Sequence, residues 1–400
     1  MDLPDASVLR YYLYKATKAV EFYRPVMYLY FLSQGLTFTQ ITALEATYNL
    51  VTVLGEVPTG YVGDRVGRRN SLLLGTGLIT ATLVGLGFAQ SFPTFLALYA
   101  VWSLGYAFRS GTEDAWLYDT LTADLSSDDF ARVRGRGESV ALLTGVVAAV
   151  VGGYLGGVDL RLPFWVAAVV TALGIPVLLS LREPATVEGA GGDTLSPRRA
   201  LAIAREVLTR RHVRAFVLAY YLLFAAVLYL VFVFVQPVFE AVVLDFGLPK
   251  SDVERALGWY YAAISLVGAA LSYRAGAIEE LVGLRAWFFA LPLLVGGALL
   301  ASWAVPLLAL PVLLFVRGIA DTTRTFASQY VNDRIDSVGR ATVLSTMAMV
   351  SALAVVPFQL GSGVISDRTS PLVALAVAGV VLVCGTLVVW VWESPFPGMD

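Results

Sequence analysis

At 400 residues, 58% hydrophobic and 14% charged, with a mean hydropathy of +0.73, the chain is too apolar to cover its own surface, since soluble domains carry about 25% charged residues. A single cysteine (Cys384) and a single histidine (His212) leave no basis for a disulfide framework, an intrachain thiolate site or a histidine-based metal or nucleophile site. No enzyme activity, cofactor or nucleic-acid partner is therefore expected. The net charge of −2 is less informative than where the basic residues sit.

A helix needs about 20 apolar residues to cross a bilayer. Twelve such runs fill the chain, near 12–34, 42–63, 70–90, 94–118, 138–158, 161–181, 213–237, 256–276, 285–303, 306–330, 342–365 and 371–392. The N-terminus has no short apolar core followed by a small-residue cleavage site, so the first span is expected to stay as an anchor. With that terminus inside, the inner segments hold Arg10, Arg65, Arg68, Arg69, Arg132, Arg134, Arg136, Arg274, Arg324, Arg334 and Arg340. The segment between spans six and seven adds seven more arginines, from Arg182 to Arg214, whereas the outer segments hold only Arg161, Lys250, Arg255 and Arg368. This asymmetry places both termini in the cytoplasm of a cell with the protein in its cell membrane.

Residues 184–198, with Pro184, Gly189, Gly191, Gly192 and Pro197, read as a linker. Residues 198–212 follow as a basic amphipathic helix, either lying on the inner leaflet or serving a regulatory partner. The division is then 1–183, a six-helix bundle; 184–212, the linker and its helix; and 213–400, a second six-helix bundle. The fold class is an all-α membrane protein of twelve transmembrane helices in two pseudo-symmetric bundles. The halves echo each other: Gly60, Asp64 and Gly67 are spaced four then three, and Gly276, Glu280 and Gly283 repeat the spacing after span eight.

The loop after span two reads Gly60-Tyr61-Val62-Gly63-Asp64-Arg65-Val66-Gly67-Arg68-Arg69. It resembles the signature loop of the major facilitator superfamily, and the twelve spans, the 6+6 division and the basic linker extend the resemblance along the whole chain. The resemblance implies a secondary transporter without ATP binding, in which Asp64 and Arg68 join a charge network with an acid at the inner end of span four. Asp119 is the candidate partner and Asp114 the second choice. It also implies that Asp64 lies beside the start of span eleven, where helix amides favour an anion, as a latch for the outward-facing state. The second loop departs from the pattern: Glu280 replaces aspartate, Leu284 stands where an arginine would, and Arg285 comes one place late. In span five, Gly152-Gly153-Tyr154-Leu155-Gly156-Gly157 resembles the glycine motif of drug antiporters, with Gly153 in place of proline; the alternative is ordinary small-residue packing.

Charges in mid-membrane cost roughly 2.5–3.5 kcal/mol on insertion scales and are functional candidates. Span one carries Glu21 and Arg24, followed by Pro25, with Lys15 and Lys18 able to snorkel. They form either a mutual pair or a charged cavity wall. Glu56 in span two is either a protonatable cavity group or a structural partner of a basic residue. In span four, Arg109 and Glu113 are four apart and expected to pair along one helix face. Asp114 points elsewhere, and Trp116 and Tyr118 are expected in the interfacial belt. Span ten repeats the spacing with Arg317 and Asp321. Asn49, Gln236 and Gln359 are further polar cavity candidates. The aromatics Tyr28, Tyr30, Trp102, Tyr220, Tyr221, Tyr229 and Trp259 are either substrate platforms or interface packing.

The expectation is a transporter moving a small organic solute by rocker-switch alternating access, as proton-coupled efflux, with Glu21, Glu56 or Glu113 carrying the proton. A proton symporter importing a solute is the alternative. A receptor or assembly partner that transports nothing is the alternative of another class. The expected partners are the lipid bilayer, a small-molecule substrate and protons, with the chain acting as a monomer.

Overall fold

The computed structural model describes residues 6–124, 127–181, 183, 209, 211–334 and 340–396; the side chains of residues 57, 64, 119–124, 127–129, 131 and 340–346 lie outside this description. The linker 184–198 and nearly all of the amphipathic segment 198–212 also lie outside it. Among the described residues there is no strand.

The helices, in order, are α1 (Ala6–Ala19), α2 (Met27–Ser33), α3 (Phe38–Val66), α4 (Arg68–Leu86), α5 (Phe92–Arg109), α6 (Thr112–Asp124), α7 (Ser127–Gly156) and α8 (Leu162–Ser180). The second half holds α9 (Arg211–Phe216), α10 (Ala225–Asp245), α11 (Val253–Tyr273), α12 (Ala275–Ala304), α13 (Ala309–Gly318), α14 (Ala320–Asn332), α15 (Arg340–Arg368) and α16 (Pro371–Trp392). Among the described residues, eight helical segments are long and apolar enough to cross a membrane: 132–156, 162–180, 211–245, 250–273, 275–304, 306–332, 347–368 and 371–392. They cover expected spans five to twelve. Spans one to four are interrupted or polar: span one between α1 and α2, span four between α5 and α6, span two by Gln40, Glu45, Asn49 and Glu56, and span three by Arg68, Arg69 and Asn70 at its start.

The interruptions have local causes. Span one leaves the helix at Val20–Val26, through turns closed by Arg24 N–Glu21 O at 2.9 Å and Val26 N–Tyr23 O at 3.0 Å; Pro25 has no N–H to continue the ladder. Span four breaks at Ser110, which is extended (ψ 129°), and Gly111, at φ +70°. Span ten has a single turn residue, Ile319, between α13 and α14; its φ/ψ of −77°, −12° stays right-handed, and Ile319 N–Phe315 O and Thr323 N–Ile319 O, both at 2.9 Å, carry the helix across it. Span seven is continuous, but Val217–Phe224 forms a π-helical insert between α9 and α10; the Tyr221 carbonyl there accepts from Ser351 Oγ at 3.2 Å.

Backbone proximity divides the chain into two compact units. The first comprises the described residues of Met1–Leu36, Thr47–Gly192 and Lys250–Ala262; the second those of Thr37–Ala46, Asp193–Pro249 and Ala263–Asp400. Each unit thus contains the start of one helix from the other half of the sequence: α3 begins in the second unit and α11 in the first. The first unit is cored at one end by Val8, Tyr11, Tyr14, Leu72, Trp116, Leu117, Val133, Leu178 and Leu181. Trp116 is 2% exposed and stacks on Tyr11 at 6.4 Å, so it is core and not interfacial belt; Tyr118 is exposed. In the second unit the rings of Phe216, Phe288, Tyr330 and Phe396 pack together, with Phe216 and Tyr330 stacked at 3.8 Å.

Candidate functional site

The loop after α3 is a single-residue connection. Gly67, at φ +91° and ψ 154°, caps α4, a conformation essentially reserved for glycine. Its N–H still bonds back to Gly63 O at 3.0 Å, and its carbonyl accepts from Ser71 N at 3.0 Å. A Cβ at Gly67 would stand 2.7 Å from Glu183 Oε1. Glu183 accepts from Arg69 N at 3.1 Å, and Arg69 Nη1 donates to the Leu181 carbonyl at 3.3 Å. Glu183 therefore clamps the start of α4, a role that its sequence position just before the linker did not announce. Gly63 packs against Ser71, whose hydroxyl donates to Phe108 O at 2.9 Å. Arg65 lies over the Tyr61 ring at 4.4 Å, and Arg68 opens α4. Gly60 is exposed, and no described residue comes within 4 Å of an added Cβ there. The side chains of Asp64 and Asp119, the expected latch pair, lie outside the described residues. The alternative partner Asp114 is engaged elsewhere: both its oxygens accept from Arg134 at 2.9 Å.

The broken span four reorganises the expected charge pairing. Because the chain turns at Ser110–Gly111, Glu113 does not pair with Arg109. Its carboxylate sits between Lys15 Nζ, at 2.9 Å, and Lys18 Nζ. Lys15 also reaches Glu138 at 2.8 Å. Lys15 and Glu113 are each 5% exposed, so Lys15 is turned inward, and together with the part-exposed Lys18 it neutralises a buried acid. Arg109, also buried, ends α5, where the helix carbonyls favour a cation. Its Nε and Nη2 have no hydrogen-bond partner among the described residues, and its guanidinium carbon lies 5.8 Å from the centre of the Tyr14 ring.

Glu21 and Arg24 are paired at 2.7 Å across the interruption of span one, which favours the mutual pair. Glycines of span five make that interruption possible: a Cβ at Gly152 would lie 1.9 Å from the Phe22 carbonyl oxygen. The glycine run is thus observed as close packing. Glu56 is exposed and has no ion pair among the described residues, so no structural cation partner for it is seen there.

In the second unit, Arg317 lies 4.9 Å above the Phe232 ring, and Asp321 meets Arg324 at 3.6 Å with both side chains about three-quarters exposed. The four-apart pairing expected of Arg317 and Asp321 is replaced by these two contacts. Gln236 and Gln359 are fully buried, and neither amide atom of Gln359 has a partner among the described residues; the same holds for Asn49 Nδ2. Of the aromatic candidates, Tyr28, Tyr30, Trp102, Tyr220 and Tyr221 are buried. Tyr30 donates to Leu86 O at 2.8 Å. Tyr229 donates to Glu45 at 2.5 Å, and Trp259 is exposed. Most therefore serve as packing.

A helical multi-pass membrane protein with a glycine-capped charged loop after its second span is the class this geometry defines. Residues 19–349 match the family model described as Major Facilitator Superfamily, and the chain belongs to that family. It is 30% identical over 140 residues, 34% of this chain and 33% of the relative, to an uncharacterized MFS-type transporter of Methanocaldococcus jannaschii. It is 22% identical over 176 residues, 44% of this chain and 43% of the relative, to the uncharacterized MFS-type transporter YxaM of Bacillus subtilis. The chain thus spans well under half the length of these curated relatives. Among solved structures, the nucleoside transporter NupG matches with a TM-score of 0.79 at 13% identity, covering 96% of this chain and 97% of that one. A D-xylose-proton symporter matches with a TM-score of 0.68 at 14% identity, covering 96% of each chain. These likenesses establish the twelve-span fold.

Proposed function

We propose that the protein is a secondary active transporter exporting a small organic solute against proton entry, by rocker-switch alternating access between its two six-helix bundles, 1–183 and 213–400. The observation that carries the proton coupling is the contrast among three carboxylates. Glu21 is held by Arg24 and Glu113 by two lysines, whereas Glu56 has no ion pair among the described residues. A carboxylate with no cation beside it is protonated more readily than one held in an ion pair. Glu56 is therefore the proton carrier, and Glu21 and Glu113 are structural acids. Among the buried side chains with unpartnered polar atoms in the described residues, Arg109, Gln359 and Asn49 are the cavity candidates taken to have hydrogen-bonding capacity for a polar solute. Export is read from the resemblance of 152–157 to the antiporter glycine motif. A cell-membrane location with both termini cytoplasmic is read from the lysine and arginine asymmetry, and Asp64 and Asp119 are kept as the proposed inner latch.

The test is solute-triggered proton movement in proteoliposomes carrying an internal pH dye, screened with a panel of small amphipathic compounds. Export predicts proton flow opposite to the solute, lost in Glu56→Gln. Flow in the same direction makes the protein a symporter. Solute flux with no pH dependence removes proton coupling.

A further inference from the structure

Helix α3 begins against residues from the far end of the chain. The amide of Phe38 donates to Asp367 Oδ1 at 2.7 Å and that of Thr39 to Asp367 Oδ2 at 3.0 Å. Asp367 is the penultimate residue of α15. The first amides of any helix have no partner within it, and a carboxylate is among their best acceptors. What distinguishes this helix start is that it also carries its own cap. Thr37 N donates to Gln40 Oε1 at 3.0 Å, and Gln40 N donates to Thr37 Oγ1 at 3.2 Å, a reciprocal capping box. The box satisfies residues 37 and 40 from within the helix and leaves the two amides between them to Asp367. The helix start therefore stays capped when the carboxylate leaves.

Two further contacts lie on the same seam. A Cβ at Gly363, one turn before Asp367, would meet Thr42 Oγ1 at 2.2 Å and Thr39 Cα at 2.8 Å, so α15 approaches α3 to backbone distance. Further along α3, Glu45 accepts from Tyr229 of α10. Residues 37–46 accordingly belong to the second unit, although α3 from Thr47 onward belongs to the first. The Asp367 contact is exposed, so carboxylate and amides are rehydrated on separation, and the contact is weak enough to break reversibly.

We propose that Asp367 is a releasable latch on the start of α3, holding the Phe38 and Thr39 amides in one state of the transport cycle and letting go in the other. This rests on the alternating-access reading. The test uses the full chain in lipid nanodiscs, with Cys384 replaced by serine and spin labels at the exposed positions Ser33 and Thr369. The labels report the distribution of distances without requiring a known solute. Asp367→Ala is expected to shift the ratio of short to long distances toward long by about two- to thirtyfold, the range seen when a capping carboxylate is removed. Asp367→Asn, which keeps one acceptor oxygen, falls between, and Gly363→Ala, which wedges the seam without altering charge, shifts the ratio the same way. Two populations in the wild type whose ratio none of these variants moves overturn the latch and leave alternating access standing. A single short population unmoved by every variant overturns both.

Discussion

The loop after α3 and the loop before the second part of α12 share a backbone and differ in what holds it. Gly67 stands at φ +91°, ψ 154°, and Gly283 at φ +75°, ψ 149°, so the conformation repeats across the halves. Around Gly67, Glu183 clamps the turn and the following Arg69; around Gly283, an added Cβ would meet none of the described residues within 4 Å. Spans four and ten repeat the lesson. Both carry an arginine four residues ahead of an acid with an irregularity between them, a full break at Ser110–Gly111 in span four and the single turn residue Ile319 in span ten. The acid of span four is buried between two lysines, whereas Asp321 of span ten is exposed beside Arg324. The two halves repeat backbone geometry, and among the described residues the first surrounds it with buried, mutually neutralised charge and the second with exposed charge.

The contrast breaks most readily at Glu113. Glu113→Gln leaves Lys18 and Lys15 with less negative charge in a buried site, and a loss of roughly 3–5 kcal/mol is expected, read as a large fall in thermal midpoint by tryptophan fluorescence. The two glycines come next. Each alanine substitution carries about 1–3 kcal/mol of backbone strain, and Gly67→Ala is expected to melt lower than Gly283→Ala because its methyl group displaces Glu183. In a Glu183→Ala background the two glycine variants should converge; a gap that persists there refutes the clamp. Glu183→Ala alone, which loses the bond from the Arg69 amide and an ion pair with Arg69 Nε at 3.7 Å whose side chains are about a third exposed, is expected to cost about 1 kcal/mol. Smallest is Asp321→Asn, within about 0.5 kcal/mol as for exposed substitutions generally. If it destabilised the protein as much as Glu113→Gln, the asymmetry between the halves would be an error.

The twelve spans and the signature loop were legible because each depends on short-range pattern: apolar length, glycine spacing and the sign of flanking charge. Pairing was not. A spacing of four predicts contact only along an unbroken helix and only where no nearer partner competes; Gly111 interrupts span four, and in span ten Asp321 meets Arg324 instead. Trp116 looked interfacial from its neighbours in sequence, yet Tyr11, more than a hundred residues away, covers it. Glu183, Glu45 and Asp367 carried no motif, since each acts on a helix start or a hydroxyl that sequence distance conceals.

What the sequence determined by itself is the family, the membrane-spanning class and the place of the turn at Gly67, because a positive φ and an apolar run of fixed length are local requirements. Which acids are neutralised, which glycines admit a neighbouring backbone and where α3 changes unit were decided only by tertiary structure. Those outcomes depend on which helices lie side by side, and in an interior of low dielectric a charge is paired by whatever cation packing brings within about 3 Å.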